Sequence, residues 1–529
     1  MDTRIRRGAP RVARVWLAAG LLTLPAAAAA QPAEVALTLD QAVQRALERN
    51  LDVRVERLAP QAIDFTLASI RALYHPTLTS TFGQRSQVNL PTTQLNGGQR
   101  VTNDTLTYNA GVEQQLVPWG GGRFSVSWTN ARLDTSNIFA NFNPSYTAST
   151  AAVFTQPLLR GFRSDSTRQQ LRITRINRDI SETQLRGTLA GTLASVRHAY
   201  WDLVFASQAV EVARGSLELA EKLVEDNQVR VEAGAMAPID VVEAQAEAAA
   251  RRQALTQAEA SALILELALK RIIVEGTSDP LWHARLVAVD RPMFRPEPPD
   301  VQGAIAAALE RRTDVDEARR QLQSADVTLA YLHGQRLPAL DAAASYGLQG
   351  LGGTQFIREG SGLGSVIVDT IPGGYGNALS AIRRAAYPTW NVSLNLSYPL
   401  FGSAADAQHA RAQVQRRQAL ERIKALELQV ATEVTTAALQ MQSSVRQIET
   451  ATAARSLAER RLDAEESKFE VGLSTNFFVV QAQRDLQDAR NSELRALIDY
   501  QKALVDFERV QETSLQRSGI DLAAGNQAP

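Results

Sequence analysis

Five histidines, His75, His198, His283, His333 and His409, are the residues from which imidazole acid–base or metal chemistry would have to be drawn. Their spacing does not supply it, because no two stand four apart on one helical face and no His-Glu-x-x-His pattern occurs. The absence of cysteine removes thiol nucleophiles, thiolate metal sites and disulfides together. The glycine-rich stretches at 120–122 and 350–353 lack the strand-then-helix setting that a phosphate-binding loop needs. A Ser, Asp and His triad assembled in space is the catalytic arrangement that spacing alone leaves open. We read the chain as not an enzyme, with no cofactor and no metal, and turn to the elements that its residues must build.

The chain has 529 residues, with 56 basic and 56 acidic side chains, and 45% of it is hydrophobic. Zero formal charge gives no electrostatic reason to expect nucleic acid as a partner. A single core is not expected at this length, since cores stop growing near roughly 250–300 residues. In residues 1–30, Arg4, Arg6, Arg7, Arg11 and Arg14 precede an apolar run from Val15 to Leu24, and Ala28, Ala29 and Ala30 offer a cleavage site before Gln31. This is the pattern of a secretory signal peptide. Its removal leaves 51 basic and 55 acidic residues, a net charge of −4. Gln31 is not cysteine, so lipidation of a new amino terminus there is not expected. The most apolar later stretch, 258–274, is interrupted by Glu259, Glu266, Lys270 and Arg271, so no membrane-spanning helix is expected.

Self-similarity sets the organisation. Residues 46–53 recur as 308–315, an offset of 262 that Pro76 and Pro338 share. Glu232, Ala233 and Gly234 recur as Glu470, Val471 and Gly472, an offset of 238. The chain therefore divides into a first repeat at 31–280, a Pro-rich linker at 281–299, a second repeat at 300–517 and a loose polar tail at 518–529. No proline interrupts 158–237 or 400–528, and apolar residues step there by three or four. Such stripes predict coiled-coil-like helices, the first from about 161 to 231 and roughly 105 Å long. Return helices at about 238–275 and 475–515 would fold back after turns near Gly234 and Gly472, where glycine suits a helix carboxyl end.

Six stretches differ: 78–88, 105–117, 124–133, 148–156, 340–348 and 391–400 are rich in Thr, Ser, Val, Tyr and Phe and alternate in polarity. Val392, Leu394, Leu396 and Tyr398 against Ser393, Asn395 and Ser397 is the clearest case. Trp128, Tyr387, Trp390 and Tyr398 lie in or beside them as candidates for an aromatic girdle. Taken alone, the strands fit a soluble sheet as well as a membrane barrel; the export signal, the absence of a spanning helix and the immense helices favour the barrel. A few strands per chain would leave edges that lipid cannot satisfy, so the chain is expected to oligomerise.

Taken in order, the opening at 37–42, the two Ala-Leu-Glu-Arg boxes, His75-Pro76-Thr77-Leu78, Gln156-Pro157-Leu158-Leu159 with Tyr398-Pro399-Leu400-Phe401, and Val471 through Thr475 followed by Gln481-Ala482-Gln483 resemble the TolC family of outer-membrane efflux ducts. The resemblance covers about 34–515. It implies an α+β membrane protein, a homotrimer in which each chain gives four strands to a 12-stranded outer-membrane β-barrel, continued by a long antiparallel α-helical coiled-coil barrel across the periplasm. It further implies contact with outer-membrane lipid, a periplasmic adaptor (membrane fusion) protein and an inner-membrane transporter, and passive conduction of small molecules or polypeptides in tripartite efflux or type I secretion by a Gram-negative bacterium.

The same resemblance places adaptor docking at Val471, Gly472, Leu473, Ser474 and Thr475 of the second tip, and more weakly at Gly234, Ala235, Met236 and Ala237 of the first. Some relatives narrow the periplasmic entrance with paired acids just after the second tip. Here Phe478 and Gln481 stand at those positions, and Asp240 and Glu243 hold the equivalent ones in the first half. Phe477 or Phe478 with Gln481 could close the entrance by apolar contact, or the phenylalanines could simply pack between helices. Residues 105–133 read as an extra hairpin turning at 119–122, whose destination the sequence does not choose. The rival overall reading is a soluble periplasmic coiled-coil scaffold.

Overall fold

The computed structural model describes residues 34–90, 100–116, 120–296, 298–360 and 364–513. The readings of 1–30 as a signal peptide and of 518–529 as a tail fall outside them, as do residues 117–119 of the extra hairpin.

Each half begins with a broken helix. Thr38 closes a capping box on α1 (Leu39–Arg49): its hydroxyl accepts from the Gln41 N–H at 3.3 Å, and the Gln41 side chain accepts from the Thr38 N–H at 3.2 Å. Asn50 ends α1 and caps α2 (Leu51–Ala72) by accepting from the Val53 N–H at 3.1 Å. The second half repeats this with α6 (Val301–Arg311) and α7 (Thr313–Gln335). There Arg312 stands at the position of Asn50 and instead pairs with Asp314 at 2.7 Å and Glu433 at 2.6 Å.

The strands come next: β2 (Thr77–Asn89), β3 (Val101–Leu116), β4 (Gly122–Thr135) and β5 (Phe142–Pro157), then in the second half β7 (Ala339–Glu359), β8 (Val366–Ile371) and β9 (Pro388–Ser397). They form one antiparallel sheet in the order β2-β3-β4-β5-β7, and both β9 and β8 pair with the far edge of β7. The hairpin at 105–133 thus lies inside the sheet as β3 and β4. This corrects the four strands per chain that the resemblance implied: β2, β3, β4, β5, β7 and β9 run six abreast. Within one described chain β2 pairs only with β3, and β9 only with β7, so the sheet does not close on itself.

The long helices match the expected layout. α3 (Ser166–Glu232) and α9 (Ala404–Glu470) each run 67 residues, roughly 100 Å. α4 (Pro238–Ile273) and α10 (Asn476–Val510) return along them. α3 packs on α4, α9 on α10, and α3 also on α10, so the two hairpins share one layer. The largest buried cluster sits midway, where Leu193, Val196, Tyr200 and Leu203 of α3 meet Val53, Leu269 and Ile273.

Further elements were not anticipated. Within the Pro-rich stretch, α5 (Pro280–His283) and β6 (Arg285–Ala288) are ordered, and β6 pairs in parallel with β1 (Glu34–Leu37). Between β8 and β9, a short helix α8 (Tyr375–Arg383) packs on β7 and β5. Among the described residues no helix is long and apolar enough to cross a membrane.

Candidate functional site

The two helical tips are built alike. At the first, Gly234 has φ +71°, and the Ala235 N–H reaches back to the Arg230 carbonyl at 2.9 Å. At the second, Gly472 has φ +77°, and the Leu473 N–H reaches the Lys468 carbonyl at 2.8 Å. Both are Schellman closures, in which a left-handed residue satisfies carbonyls that the ending helix leaves free. Gly234, Ala235 and Ala237 are exposed, while Met236 is half-buried against Leu223, Phe469 and their neighbours. Val471 and Leu473 project into solvent, 70% and 80% exposed. Ser474 donates to Glu465 at 2.8 Å, and a groove lined by Lys468, Gly472, Leu473, Thr475 and Phe478 opens beside it.

The gate candidates lie just above. Phe477 and Phe478 pack edge to face with ring centroids 5.5 Å apart, yet remain 61% and 50% exposed. Within one chain they do not fill a space between helices. Gln481 donates to Asp485 at 2.8 Å, one turn along α10. Asp240 is partly exposed in the first turn of α4, its carbonyl receiving Asn227 and Asn476 at 3.5 Å, and Glu243 is exposed.

The structure adds a charged lock that sequence reading missed. Glu247 of α4, with its side chain 5% exposed, meets Arg251 at 2.6 Å and Arg484 of α10 at 3.2 Å. Burial raises the Glu247 carboxyl, but hydrogen bonds from Arg484 and Arg251 and their charges outweigh it and hold the group below its ordinary value. Nearer the tips, Asn227 is fully buried and donates to Asn476 at 3.0 Å, joining α3 to α10. These partners lie more than two hundred residues apart, and only the repeat offset could have hinted at their proximity.

At the other end, the sheet has two contrasting faces. Cross-strand register lines up Leu78, Val112, Val126, Ala152, Tyr346 and Trp390 in one row across six strands. The next row, on the opposite face, is Thr79, Gly111, Ser127, Ala151, Gly347 and Thr389. One face is apolar and the other polar, yet the apolar one is not a core: Leu78, Trp390, Val392, Leu394 and Leu396 are each more than 60% exposed. Of the girdle candidates, Trp128 stands on the apolar face two register positions from the row of Tyr346 and Trp390. Tyr387 and Tyr398 flank β9 and are also exposed.

The histidines do not converge on one centre. His333 and His409 lie tilted against each other with centroids 5.6 Å apart, and His198 lies 3.3 Å from Asp506. Among the described residues no group of three or more His, Asp or Glu could hold a metal ion.

A model of the outer membrane efflux proteins matches residues 42–274 and 304–510, one segment in each repeat. The chain belongs to that family. Solved structures similar to this efflux protein include CusC, 14% identical, covering 89% of this chain and 91% of its own with a TM-score of 0.64. The CmeC outer-membrane channel of Campylobacter jejuni is 13% identical over 92% and 90%, also with a TM-score of 0.64. VceC of Vibrio cholerae is 14% identical over 89% and 95%, with a TM-score of 0.62. At such identities the likeness is one of fold. No curated protein sequence matches the chain.

In this efflux protein the Pro-rich linker is also fastened to the first repeat at mid-length. The Tyr200 hydroxyl, at a fully buried ring, donates toward the Asp290 carboxylate at 2.7 Å and lies 3.0 Å from the Leu37 carbonyl. Asp290 also accepts from the Leu39 N–H at 2.7 Å. Burial and then the Asp290 carboxylate push the Tyr200 phenol up, keeping it a neutral donor. The Pro-rich stretch is thereby bound against the start of the first repeat.

Proposed function

We propose that three copies of this chain close one barrel in the outer membrane and continue as a helical tunnel through the periplasm, forming the exit duct of a tripartite efflux or type I secretion assembly. The observation that carries this reading is the exposed apolar face on a sheet with two unpaired edges. Lipid can cover such a face, but unpaired strand edges in lipid are prohibitively costly, so the edges must meet those of other copies. Three is the copy number implied by the family resemblance. With six strands abreast per chain, three copies give 18 strands, and barrels of 16–18 strands leave an aqueous channel. The 12-stranded barrel expected from the sequence would be too small for this sheet.

The helical part supports the same assembly. Leu51, Val55, Leu58 and Phe65 project from α2 at helical spacing, each more than half exposed, which is a seam for a neighbouring copy. At the far end the exposed tips, Val471 through Thr475 and Gly234 through Ala237, take the hairpins of a periplasmic adaptor, through which an inner-membrane transporter delivers cargo. Phe477 and Phe478, exposed from their own chain, meet their symmetry mates as an apolar constriction.

Cell fractionation tests the duct: it should remain with the outer membrane and run as a trimer that heat dissociates, whereas release with soluble periplasm would favour a coiled-coil scaffold. Conductance in planar bilayers tests the gate. Multivalent cations should block weakly, and tight block would point instead to the acids Asp240 and Glu243.

A further inference from the structure

The helix α8 sits where the strands leave the apolar band. It approaches β7 so closely that a Cβ at Gly350 would collide with the Ala378 carbonyl and one at Gly352 with the Gly374 carbonyl. Ala378 is fully buried in that contact. Tyr375 donates to Asn130 at 2.6 Å, and its ring lies edge-on to Tyr108 and tilted against Tyr146, with centroids 5.6 and 6.3 Å away. Gly350 and Gly352 fall on the same face of β7 as Tyr346, since side chains two apart share a face. The helix therefore covers the apolar face, not the polar one. Gly350 lies 11 residues along β7 from Ala339. That is roughly 36 Å of strand, or about 28 Å of height at the usual tilt, close to the thickness of an outer-membrane apolar band.

Arg383 and Arg384 follow at the end of α8, and both are exposed. Arg384 folds back onto Ser380, with Nε 3.3 Å from its carbonyl and Nη2 3.0 Å from its hydroxyl. Among the described residues neither arginine has a carboxylate within ion-pair distance, whereas Arg178, Arg251 and Arg416 on other helices do. Tyr387 and Trp390, 64% and 73% exposed, come directly after them at the start of β9.

We propose that α8 is a lipid-headgroup clamp in which Arg383 and Arg384 hold the phosphate of an anionic outer-leaflet lipid while its acyl chains lie along Tyr346, Trp390 and Val392. Guanidinium groups bind phosphate in a paired, planar geometry, and aromatic rings favour the level just beneath the headgroups. This side of the sheet combines an exposed cationic pair with an apolar surface below it. The clamp rests on the reading of that face as lipid-facing.

The full chain can be reconstituted in phosphatidylcholine vesicles containing a minority of phosphatidylglycerol, extracted, and assayed by mass spectrometry for phosphatidylglycerol retained per chain. Wild type should retain it well above its share of the bilayer. Removing both charges, by Arg383→Gln with Arg384→Gln, should weaken retention on the order of 25-fold at low salt, about fivefold per arginine, and the paired Lys variant should keep most of it. Equal retention by wild type and the Gln variant would overturn the clamp. Insertion is scored separately by conductance: a wild type that conducts but shows no enrichment overturns the clamp alone, and one that fails to insert overturns the lipid-facing reading as well.

Discussion

The two halves of the chain agree in their helices and diverge in their strands. α3 and α9 both have 67 residues, and α4 and α10 have 36 and 35. The sheet, by contrast, takes four strands from the first half and three from the second, one of them only six residues long. Helices that lie in one layer and end in tips at the same level cannot change length independently, because each extra turn shifts a whole apolar stripe against its neighbour. An antiparallel hairpin can be added to a sheet without moving anything else, since it preserves strand direction and the alternation of faces. Reach is fixed in this molecule, and girth is adjustable.

The same comparison can be made residue by residue near the tips. Glu247 and Asp485 occupy equivalent positions, 238 residues apart like Gly234 and Gly472. Glu247 is buried and joined to the other hairpin through Arg484, whereas Asp485 pairs with Arg461 of its own hairpin. Replacing Glu247 by Ala strands Arg251, only 13% exposed, and breaks the bridge between hairpins. The expected cost is about 2–3 kcal/mol, below the full range for a buried pair because Arg484 is half exposed. The thermal midpoint of the purified chain should fall accordingly, and an unchanged midpoint would show that the hairpins are held by their apolar contacts alone.

The lock also carries a pH signature. The Glu247 carboxyl is held below its ordinary value of 4.5 in the folded chain, so its contribution is complete above that value and disappears as pH falls through the lower folded value. The difference in midpoint between wild type and Glu247→Gln should therefore be constant from neutrality to about pH 5 and shrink on further acidification. A difference that grows with acid would contradict the assigned direction.

The tips offer a test of equality. A Cβ at Gly234 or Gly472 meets nothing within 4 Å, so an alanine there pays only for its left-handed backbone. Gly234→Ala and Gly472→Ala should each cost about 1 kcal/mol, indistinguishable in thermal unfolding. If they differ in retention of an adaptor while matching in stability, the tips are unequal as docking surfaces, which is the ranking that their side chains suggest.

How much of this was legible depended on the range of the physics involved. Missing prolines, stripes at helical spacing and one glycine per tip are local signals, and they located α3, α4 and α10 to within about five residues and placed a second long helix before Gly472. Alternation located six strands for the same reason. α8 was not legible, because nine residues carry little periodicity and its place is set by the sheet beneath it. The strand expected at 340–348 stops short of the glycines at 350–353, yet they lie inside the 21-residue β7. Their clue was spacing: Gly350 and Gly352, two apart, strip one face for a close neighbour. β6 was hidden by surrounding prolines, and the Glu247 lock by the 237 residues between its partners.

The smallest expected effect completes the comparison of the halves. Asp485 is 32% exposed and its partner Arg461 53% exposed, so water already solvates both ends of the pair. Asp485→Ala should cost only about 0.5 kcal/mol, and less in high salt, where exposed charges are screened. Its more informative consequence concerns Gln481, which donates to Asp485 at 2.8 Å and would lose that tether. Gln481 lies one turn from Phe477 and Phe478. A change in single-channel conductance without a change in stability would therefore tie Gln481 to the constriction, and unaltered conductance would leave the phenylalanines as its determinant.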